Sequence, residues 1–192
     1  MKILYLQPGQ GIGGSKISLH HILQCAPPGQ ISQVALALPV QPRYDGILSG
    51  SVEKIHYLDL PTWQKYRRKK VGELLKAPFS HTIRLLSLVP AAIKLAAIIK
   101  EEKIDLVHTN NSICAAGAIA AFLADVPHVW HIREAVGTGA QYPLILGDWL
   151  SLKLIHHLSS AVICNSKYTA AFFYRNMAKN QFIVPSSCEQ FS

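Results

Sequence analysis

The segment IDLVHTNNSICAAGAIAAFLADVPHVWHIRE, residues 104–134, decides the fold of this chain. Its two ends are short apolar runs that predict buried strands over Ile104–Thr109 and Pro127–Ile132. Between them, small apolar residues dominate Ser112–Ala124 and predict a helix that can pack closely against a sheet. Strands that alternate with helices in this way are typical of a parallel sheet.

The same alternation extends through the rest of the chain. Most predicted strands are continuous apolar runs, the pattern of a parallel sheet covered by helices on both faces. The sequence therefore predicts an α/β fold, a doubly wound, mostly parallel, Rossmann-like sheet, with a long irregular connection over residues 61–82. The other predicted strands are Lys2–Gln7, Gln33–Leu38, Val52–Leu58, Ala161–Asn165 and Gln181–Val184, and the other helices are one beginning at an N-cap Ser15, Ile83–Lys100 with a possible kink at Pro90, Tyr142–Leu158 and Ser166–Asn176.

Polar residues follow several of these strands. Ligands of such sheets bind at the carboxyl ends of the strands, so these residues are the candidates for a site. A histidine in this position, His131, could orient a hydroxyl or phosphate group, or act as an acid or base. The alternative for each polar group is a helix cap without a ligand. The candidate segments are Gly9–Ser15, His108–Asn111, His131–Glu134 and Asn165–Lys167.

A glycine-rich loop separates the first strand from the first helix. Residues Gly9–Gly14 read GQGIGG, whose backbone N–H groups and helix N-terminus could receive a phosphate or another anion. A dinucleotide site also requires an acidic residue at the end of the second strand. Pro39 ends that strand, and the first acidic residue is Asp45, beyond two prolines. An anion-binding or acceptor-facing loop is therefore favoured over NAD binding, with a tight turn as the alternative without a ligand.

Metal binding and covalent catalysis find little support in the sequence. The pairs His20–His21 and His156–His157 lie on predicted helices, where adjacent side chains diverge by about 100°. The four cysteines form no C-x-x-C pair, and the apolar neighbours of three of them predict buried, reduced thiols. These histidine pairs are therefore poor chelates, and we predict no metal. A Ser-His-Asp order, a G-x-S-x-G motif and a P-loop lysine are also missing, so the sequence shows no nucleophile–base pair.

The chain carries a net charge of +8, from 19 Lys and Arg against 11 Asp and Glu. Clustered cations gain about 1 kcal/mol each at an anionic membrane, so the basic run predicts either membrane-surface contact or a solvated loop. We expect no nucleic-acid partner, because zinc-finger, RNP-type and basic-zipper patterns are missing. The basic run consists of Lys65, Arg67, Arg68, Lys69 and Lys70.

The apolar segments are short. The first strand is too short for the apolar region of a signal peptide. The longest apolar stretch, Leu85–Ile99, is interrupted by Pro90 and Lys94 and is shorter than a bilayer span. We therefore expect a cytoplasmic protein that lies, if it contacts a membrane, peripherally at the inner face.

Three segments resemble the N-terminal domain of glycosyltransferase family 4. They are GIGGSKISLHHIL (11–23), the segment 104–134, and SSAVICNSKYTAAFF (159–173), and the resemblance covers nearly the whole chain. Enzymes of this family have the GT-B architecture, in which two Rossmann-like domains face each other across a cleft and the N-terminal half mainly holds the acceptor. The resemblance implies that residues 1–185 are this domain and that residues 186–192 begin the linker to a C-terminal domain.

The resemblance also implies roles for individual residues. His131 resembles the family's catalytic-site histidine, which contacts the transferred sugar. The loop that approaches the donor diphosphate and the acceptor would include Gly11, Gly13, Gly14 and Ser15. Acceptor or cleft contacts are implied for Asn110, Asn111, Arg133, Glu134, Asn165 and Ser166.

The implied reaction transfers a sugar from a nucleotide-sugar donor to a lipid-linked, glycan or small-molecule acceptor, with retention of configuration and no metal or other cofactor. Protein hydrogen-bond donors and helix N-termini would stabilise the leaving diphosphate. In the family the C-terminal domain carries most of the nucleotide-sugar site, so we expect residues 1–192 alone to be inactive. Two alternatives remain open: a Rossmann-like binding domain without catalytic activity, and an NAD-binding oxidoreductase domain.

Overall fold

Seven parallel strands form one sheet in the computed structural model of the chain. The strands are β1 (Lys2–Leu6), β2 (Gln33–Pro39), β3 (Lys54–Leu58), β4 (Leu106–Thr109), β5 (His128–Ile132), β6 (Ala161–Cys164) and β7 (Gln181–Ile183). The helices are α1 (Gly14–Gln24), α2 (Ala77–Glu101), α3 (Ala116–Ala124), α4 (Asp148–His157) and α5 (Lys167–Ala171). The structure describes residues 1–8, 13–25, 33–39 (backbone alone), 48, 52–65, 77–135, 143–171 and 180–185.

The strand order is β3-β2-β1-β4-β5-β6-β7, and every neighbouring pair is parallel. The predicted α/β, doubly wound fold is therefore confirmed. The chain first builds the sheet outward from β1 to β3, then returns to the other side of β1 and continues through β4 to β7. Ligands of such sheets bind where the order reverses, which here is the carboxyl edge between β1 and β4.

Strand β1 is buried on both faces of the sheet. Its residues Leu4 and Leu6 belong to the larger core, which includes residues of α2 and α3. Ile3 and Tyr5 point to the opposite face and pack in a second core with Leu19 of α1. Burial on both faces explains why the central strands are continuous apolar runs rather than alternating ones.

Helix α2 is longer than its sequence predicts, because it begins at Ala77 rather than Ile83 and continues through Pro90 without a break. The prediction that residues 77–82 are irregular was therefore wrong. Pro78 is compatible with the first turn, where backbone N–H groups have no partner within the helix. Pro90 lies on the exposed side of the helix, so its ring faces solvent rather than the core.

Among the described residues, α2 is the helix that is long and apolar enough to cross a membrane by length and composition alone. Its most apolar 18-residue window has a mean hydropathy of 1.8, and 33% of that window is buried inside the fold. Core helices of soluble proteins meet the same criterion. The stretch Leu85–Ile99 was expected to be too short to span a bilayer, but the helix that contains it has 25 residues. That α2 does not cross a membrane stays a prediction.

Three predicted helix starts also differ from the structure. The N-cap of α1 is Gly13 rather than Ser15, which lies inside the first turn. Helix α3 begins at Ala116 and α4 at Asp148, later than predicted, because the preceding residues make other contacts. Leu144, for example, forms an antiparallel bridge with Gln64, a pairing that no local pattern in the sequence indicates.

Candidate functional site

Polar side chains that follow β1, β4, β5 and β6 meet at the carboxyl edge of the sheet. Asn110, directly after β4, is the centre of this group. Its amide nitrogen donates hydrogen bonds to Oε1 of Gln7 and, over 2.8 Å, to the backbone oxygen of Ser15. Its Oδ1 accepts a hydrogen bond of 2.7 Å from Nε of Arg133. Asn110 thereby links β1, α1 and β5 at the point where the strand order reverses.

Arg133 extends this network to α1 and β6. Its Nη1 donates to Oγ of Ser18 over 2.7 Å, and its backbone oxygen accepts a hydrogen bond of 2.9 Å from Nδ2 of Asn165. Burial lowers the pKa of the Arg133 guanidinium to about 10, against the opposing effect of Glu134. Arg133 therefore stays a cation near neutral pH.

His131 is buried, with 4% of its surface exposed, and its two ring nitrogens have different surroundings. Nδ1 lies 3.4 Å from Nη2 of Arg133 and 3.3 Å from Nε2 of His108. A guanidinium can only donate hydrogen bonds, so Nδ1 of His131 must accept and the ring proton belongs on Nε2. That Nε2 has no hydrogen-bond partner among the described residues.

The protonation state of His131 follows from the same surroundings. Burial, with Arg133 and His108 adding to it, lowers the pKa of His131 to about 2. The imidazole is therefore neutral at physiological pH. With Nδ1 occupied and Nε2 protonated, His131 is suited to donate a hydrogen bond and poorly suited to act as a base.

A cavity of about 220 Å³ opens beside His131 and Arg133. It is smaller than the roughly 300–1,000 Å³ of complete small-molecule sites, so these residues are suited to hold only part of a larger ligand. The remaining lining residues are Ser18, His21, Ile22, Cys25, Val184 and Pro185. None of these six was predicted to belong to the site, although Ser18, His21, Ile22 and Cys25 recur on one face of α1 at helical spacing.

The N-terminus of α1 faces the same edge of the sheet. A Cβ built on Gly13 or Gly14 would meet no atom of the described residues within 4 Å, so these residues leave space at this end of the helix. The first turn contains no acidic side chain, and its N–H groups with their partial positive charge suit an anion. Ser15 accepts a hydrogen bond of 3.2 Å from Gln7 through its Oγ. Gly11 lies outside the described residues.

Glu134 belongs to a second cluster, which holds the loop after β4. Its carboxylate accepts hydrogen bonds of 2.7 Å from Nδ2 of Asn111 and 3.0 Å from Oγ of Ser112. Burial raises the pKa of Glu134, while the hydrogen bonds from Ser112 and the charge of Arg133 oppose that shift. The contacts of Asn111 and Glu134 thus order the loop, and their contact with an acceptor stays a prediction.

Two tryptophans hold the loop after β4 through hydrogen bonds to its backbone. The indole nitrogen of Trp63 donates to the backbone oxygen of Ser112 over 2.9 Å, and that of Trp130 donates to the backbone oxygen of Asn111 over 2.7 Å. The two rings are stacked, with centroids 5.8 Å apart. Buried aromatic side chains with satisfied N–H groups make this a rigid support for the adjacent Asn110.

Ser166 caps α5 in the way that the alternative interpretation predicted. Its Oγ accepts a hydrogen bond of 3.0 Å from the backbone N–H of Thr169. The neighbouring Asn165 accepts from Oγ1 of Thr169 and donates to Arg133, so it connects this cap to the site. A contact of Ser166 with an acceptor stays a prediction.

The other predicted features have mixed outcomes. Lys65 of the basic run donates its backbone N–H to Pro143, while Arg67, Arg68, Lys69 and Lys70 lie outside the described residues. Cys114 and Cys164 are buried free thiols as predicted, Cys25 is exposed, and Cys188 lies outside the described residues. In the described part of the chain, no group of three or more His, Cys, Asp or Glu side chains is arranged to hold a metal ion.

Comparison with protein families gives a match over most of the chain. The model described as Glycosyltransferase Family 4 matches residues 55–183, the range from β3 to β7. A comparison with curated proteins gives no match.

Solved structures share the fold. The Anabaena protein HepE, solved with UDP-glucose, superposes with a TM-score of 0.64 at 20% identity, over 98% of this chain and 44% of HepE. MurG of Acinetobacter baumannii gives 0.61 at 17% identity, over 98% and 47%. The UDP-GlcNAc 2-epimerase of Neisseria meningitidis gives 0.59 at 16% identity, over 96% and 45%. The chain thus spans less than half the length of these proteins, and at these identities the likeness concerns the fold alone.

Proposed function

Because this chain belongs to glycosyltransferase family 4, we propose that it is the acceptor-binding N-terminal half of a retaining glycosyltransferase. The donor would be a nucleotide-sugar and the acceptor a lipid-linked, glycan or small-molecule hydroxyl compound. The observation that carries the proposal is the presence of two hydrogen-bond donors at the carboxyl edge of the sheet. They are the N-terminus of α1 and the unpartnered Nε2 of His131.

Each donor has a part in this proposed reaction. The first N–H groups of α1 would face the donor diphosphate, whose charge grows as the glycosidic bond breaks. The open space at Gly13 and Gly14 supports this, because a phosphate must approach the backbone closely. His131, held neutral by burial, would donate from Nε2 to an oxygen of the transferred sugar.

The cavity also bears on the stereochemistry. None of the described residues that line it carries a carboxylate, and the carboxylate of Glu134, next to Arg133 in sequence, is bonded to Asn111 and Ser112. A retaining reaction through a covalent sugar intermediate would need such a nucleophile beside the sugar. The described residues therefore favour transfer on one face of the sugar, with the acceptor hydroxyl replacing the diphosphate directly.

The nucleotide-sugar part of the proposal draws on the relatives. HepE was solved with UDP-glucose, and the epimerase of Neisseria meningitidis with UDP-GlcNAc. A cavity of about 220 Å³ is too small for such a donor, so a second domain would complete the site. We therefore propose that residues 1–192 alone do not turn over a nucleotide-sugar. We also propose that the reaction needs no metal or other cofactor and that the enzyme works in the cytoplasm.

The test is a transfer assay on the full-length gene product. We expect release of nucleoside diphosphate that depends on an acceptor, and a loss of about 100- to 1,000-fold in kcat for His131→Ala, as for other preorganised donors. His156→Ala, an exposed histidine on α4, is the matched control and should leave the rate unchanged.

Four outcomes would contradict the proposal. Full activity of a folded His131→Ala variant would remove His131 from the site. Steady diphosphate release by residues 1–192 alone would refute the need for a second domain. Binding of NADH, followed by fluorescence, would instead support the oxidoreductase alternative, while a folded full-length product that binds a sugar without turnover would support the non-catalytic domain.

A further inference from the structure

The outer side of helix α2 is apolar and exposed. Five large apolar side chains on it are between 50% and 73% exposed: Phe79, Ile83, Leu86, Val89 and Ile93. We call these five residues the α2 apolar face. The exposed apolar residues of a soluble domain are normally scattered singly over its surface, whereas a contiguous group of this kind marks an interaction site.

The α2 apolar face is continuous along the helix. At 3.6 residues per turn its members fall within a sector of about 120°, and from Phe79 to Ile93 the face extends for about 21 Å. The opposite side of α2 packs into the core through Leu88, Ala92 and Leu95, each 5% exposed or less. A helix that is apolar on all sides is typically buried in a protein core or in a membrane. Helix α2 is apolar on both sides, but only one of them is buried in the core.

The charges around this helix indicate what covers the face. Helix α2 contains the cations Arg84, Lys94 and Lys100, and its single acidic residue, Glu101, is the last residue of the helix. The basic run Lys65–Lys70 precedes the helix in sequence by seven residues. An anionic lipid surface complements these charges. A second copy of the chain, also at +8, would bring like charges together.

We propose that the α2 apolar face lies in the interface of an anionic phospholipid bilayer, with the helix axis in the plane of the membrane. Its apolar side chains would enter the boundary between head groups and acyl chains, and the neighbouring cations would contact the lipid phosphates. The helix would not span the bilayer, because its other side is buried against α3 and the sheet. The inference deepens the proposed function and rests on it in one respect: a bound bilayer would present a lipid-linked acceptor to the same molecule.

The experiment is sedimentation of the full-length gene product with vesicles of neutral phosphatidylcholine alone, or of phosphatidylcholine with about 30% phosphatidylglycerol. We expect binding to the anionic vesicles that weakens as salt rises. The variant Ile83→Gln/Leu86→Gln/Ile93→Gln should lower the partition coefficient by about tenfold or more. The matched control is Phe122→Gln, which replaces an exposed apolar residue on α3 and should bind as the wild type does.

Each outcome is decisive once circular dichroism shows that the variants fold. Equal binding by the triple variant and the wild type would overturn the proposal, as would a concentration-dependent dimer that the triple variant abolishes without any vesicle binding. A second variant, with Ser in place of Arg67, Arg68, Lys69 and Lys70, should weaken binding and its salt dependence. Vesicle binding requires no transfer activity, so a failed transferase assay would leave this result standing.

Discussion

The guanidinium of Arg133 lies 3.4 Å from Nδ1 of His131, two residues earlier on the same strand end. The contact places a cation that can only donate beside one ring nitrogen, and so it determines which nitrogen of His131 carries the proton. Arg133 is therefore a positioning residue. It also bonds Ser18 and Asn110, so the orientation of His131 depends on α1 and on the loop after β4.

The first prediction concerns the tautomer of His131. Long-range ¹H–¹⁵N correlation spectra should show Nε2 protonated and Nδ1 unprotonated, with no change between pH 5 and pH 8, because its pKa is about 2. The His131→Asn variant assigns the signal. Arg133→Lys keeps a cation and should keep the tautomer, whereas Arg133→Gln should give a mixture. A wild-type ring protonated on Nδ1 would contradict this account of the site.

The second prediction compares two glycines. A Cβ on Gly117 would lie 2.4 Å from Oγ1 of Thr109 and 2.8 Å from Cδ2 of Leu6, so Gly117→Ala overpacks the contact between α3 and the sheet. We expect it to lower the free energy of unfolding by about 1–3 kcal/mol, despite the higher helix propensity of alanine. The methyl group of Gly14→Ala meets no atom of the described residues within 4 Å, so this variant should be neutral or raise the free energy of unfolding by up to about 1 kcal/mol. Urea denaturation measures both.

Gly14→Ala also tests the loop. If a diphosphate approaches the backbone there, this variant should lower transfer by the full-length enzyme while its stability is unchanged. Unchanged transfer would place the diphosphate elsewhere. Equal stability of Gly117→Ala and the wild type would show that Thr109 and Leu6 can move aside without cost.

The third prediction concerns Glu134. Glu134→Ala leaves buried donors of Asn111 and Ser112 without an acceptor and should lower the free energy of unfolding by about 1–3 kcal/mol. Glu134→Gln should cost less, because its oxygen can still accept from Asn111 and the Ser112 hydroxyl can turn to accept. Glu53→Ala, at an exposed position, is the control and should stay within about 0.5 kcal/mol. Chemical denaturation that ranks Gln below Ala in stability would refute this role.

The fourth prediction is a loss of stability in mild acid. Burial lowers the pKa of His108 and His128 to about 3, from 6.5 in an unfolded chain. Between these values the unfolded state binds more protons, so this stability is complete above pH 6.5 and falls as the pH decreases toward 3. Within that pH range, each of these histidines should lower the free energy of unfolding by about 1.4 kcal/mol for each pH unit of acidification. The raised pKa of Glu134 acts in the opposite sense.

His128 allows a clean measurement, because it lies at the start of β5 and away from the cavity. Urea unfolding of wild type should give a lower free energy at pH 5.0 than at pH 7.5. In His128→Gln the difference between the two pH values should shrink by about 2 kcal/mol. An unchanged difference would mean that His128 is not held neutral in the folded state, contrary to what its 2% exposure implies.

Local patterns in the sequence were sufficient for much of the fold. Apolar patterns predicted each strand to within a few residues. Most were continuous runs, because strands buried on both faces exclude polar side chains, while alternation predicted Val52–Leu58. The rule that ligands bind at the carboxyl ends of parallel strands then led to Asn110, His131, Arg133 and Asn165, which the structure joins through hydrogen bonds.

Other features depend on contacts between distant segments. Gln7 and Asn110 are 103 residues apart in the sequence and share a hydrogen bond only because β1 and β4 pair. The tautomer of His131 depends on Arg133, and the exposure of one side of α2 depends on which side packs against α3. The burial of each strand residue is reflected in its own polarity, so strands can be recognised from the sequence alone. Hydrogen bonds between strand ends and the free side of a helix arise only when the sheet is assembled.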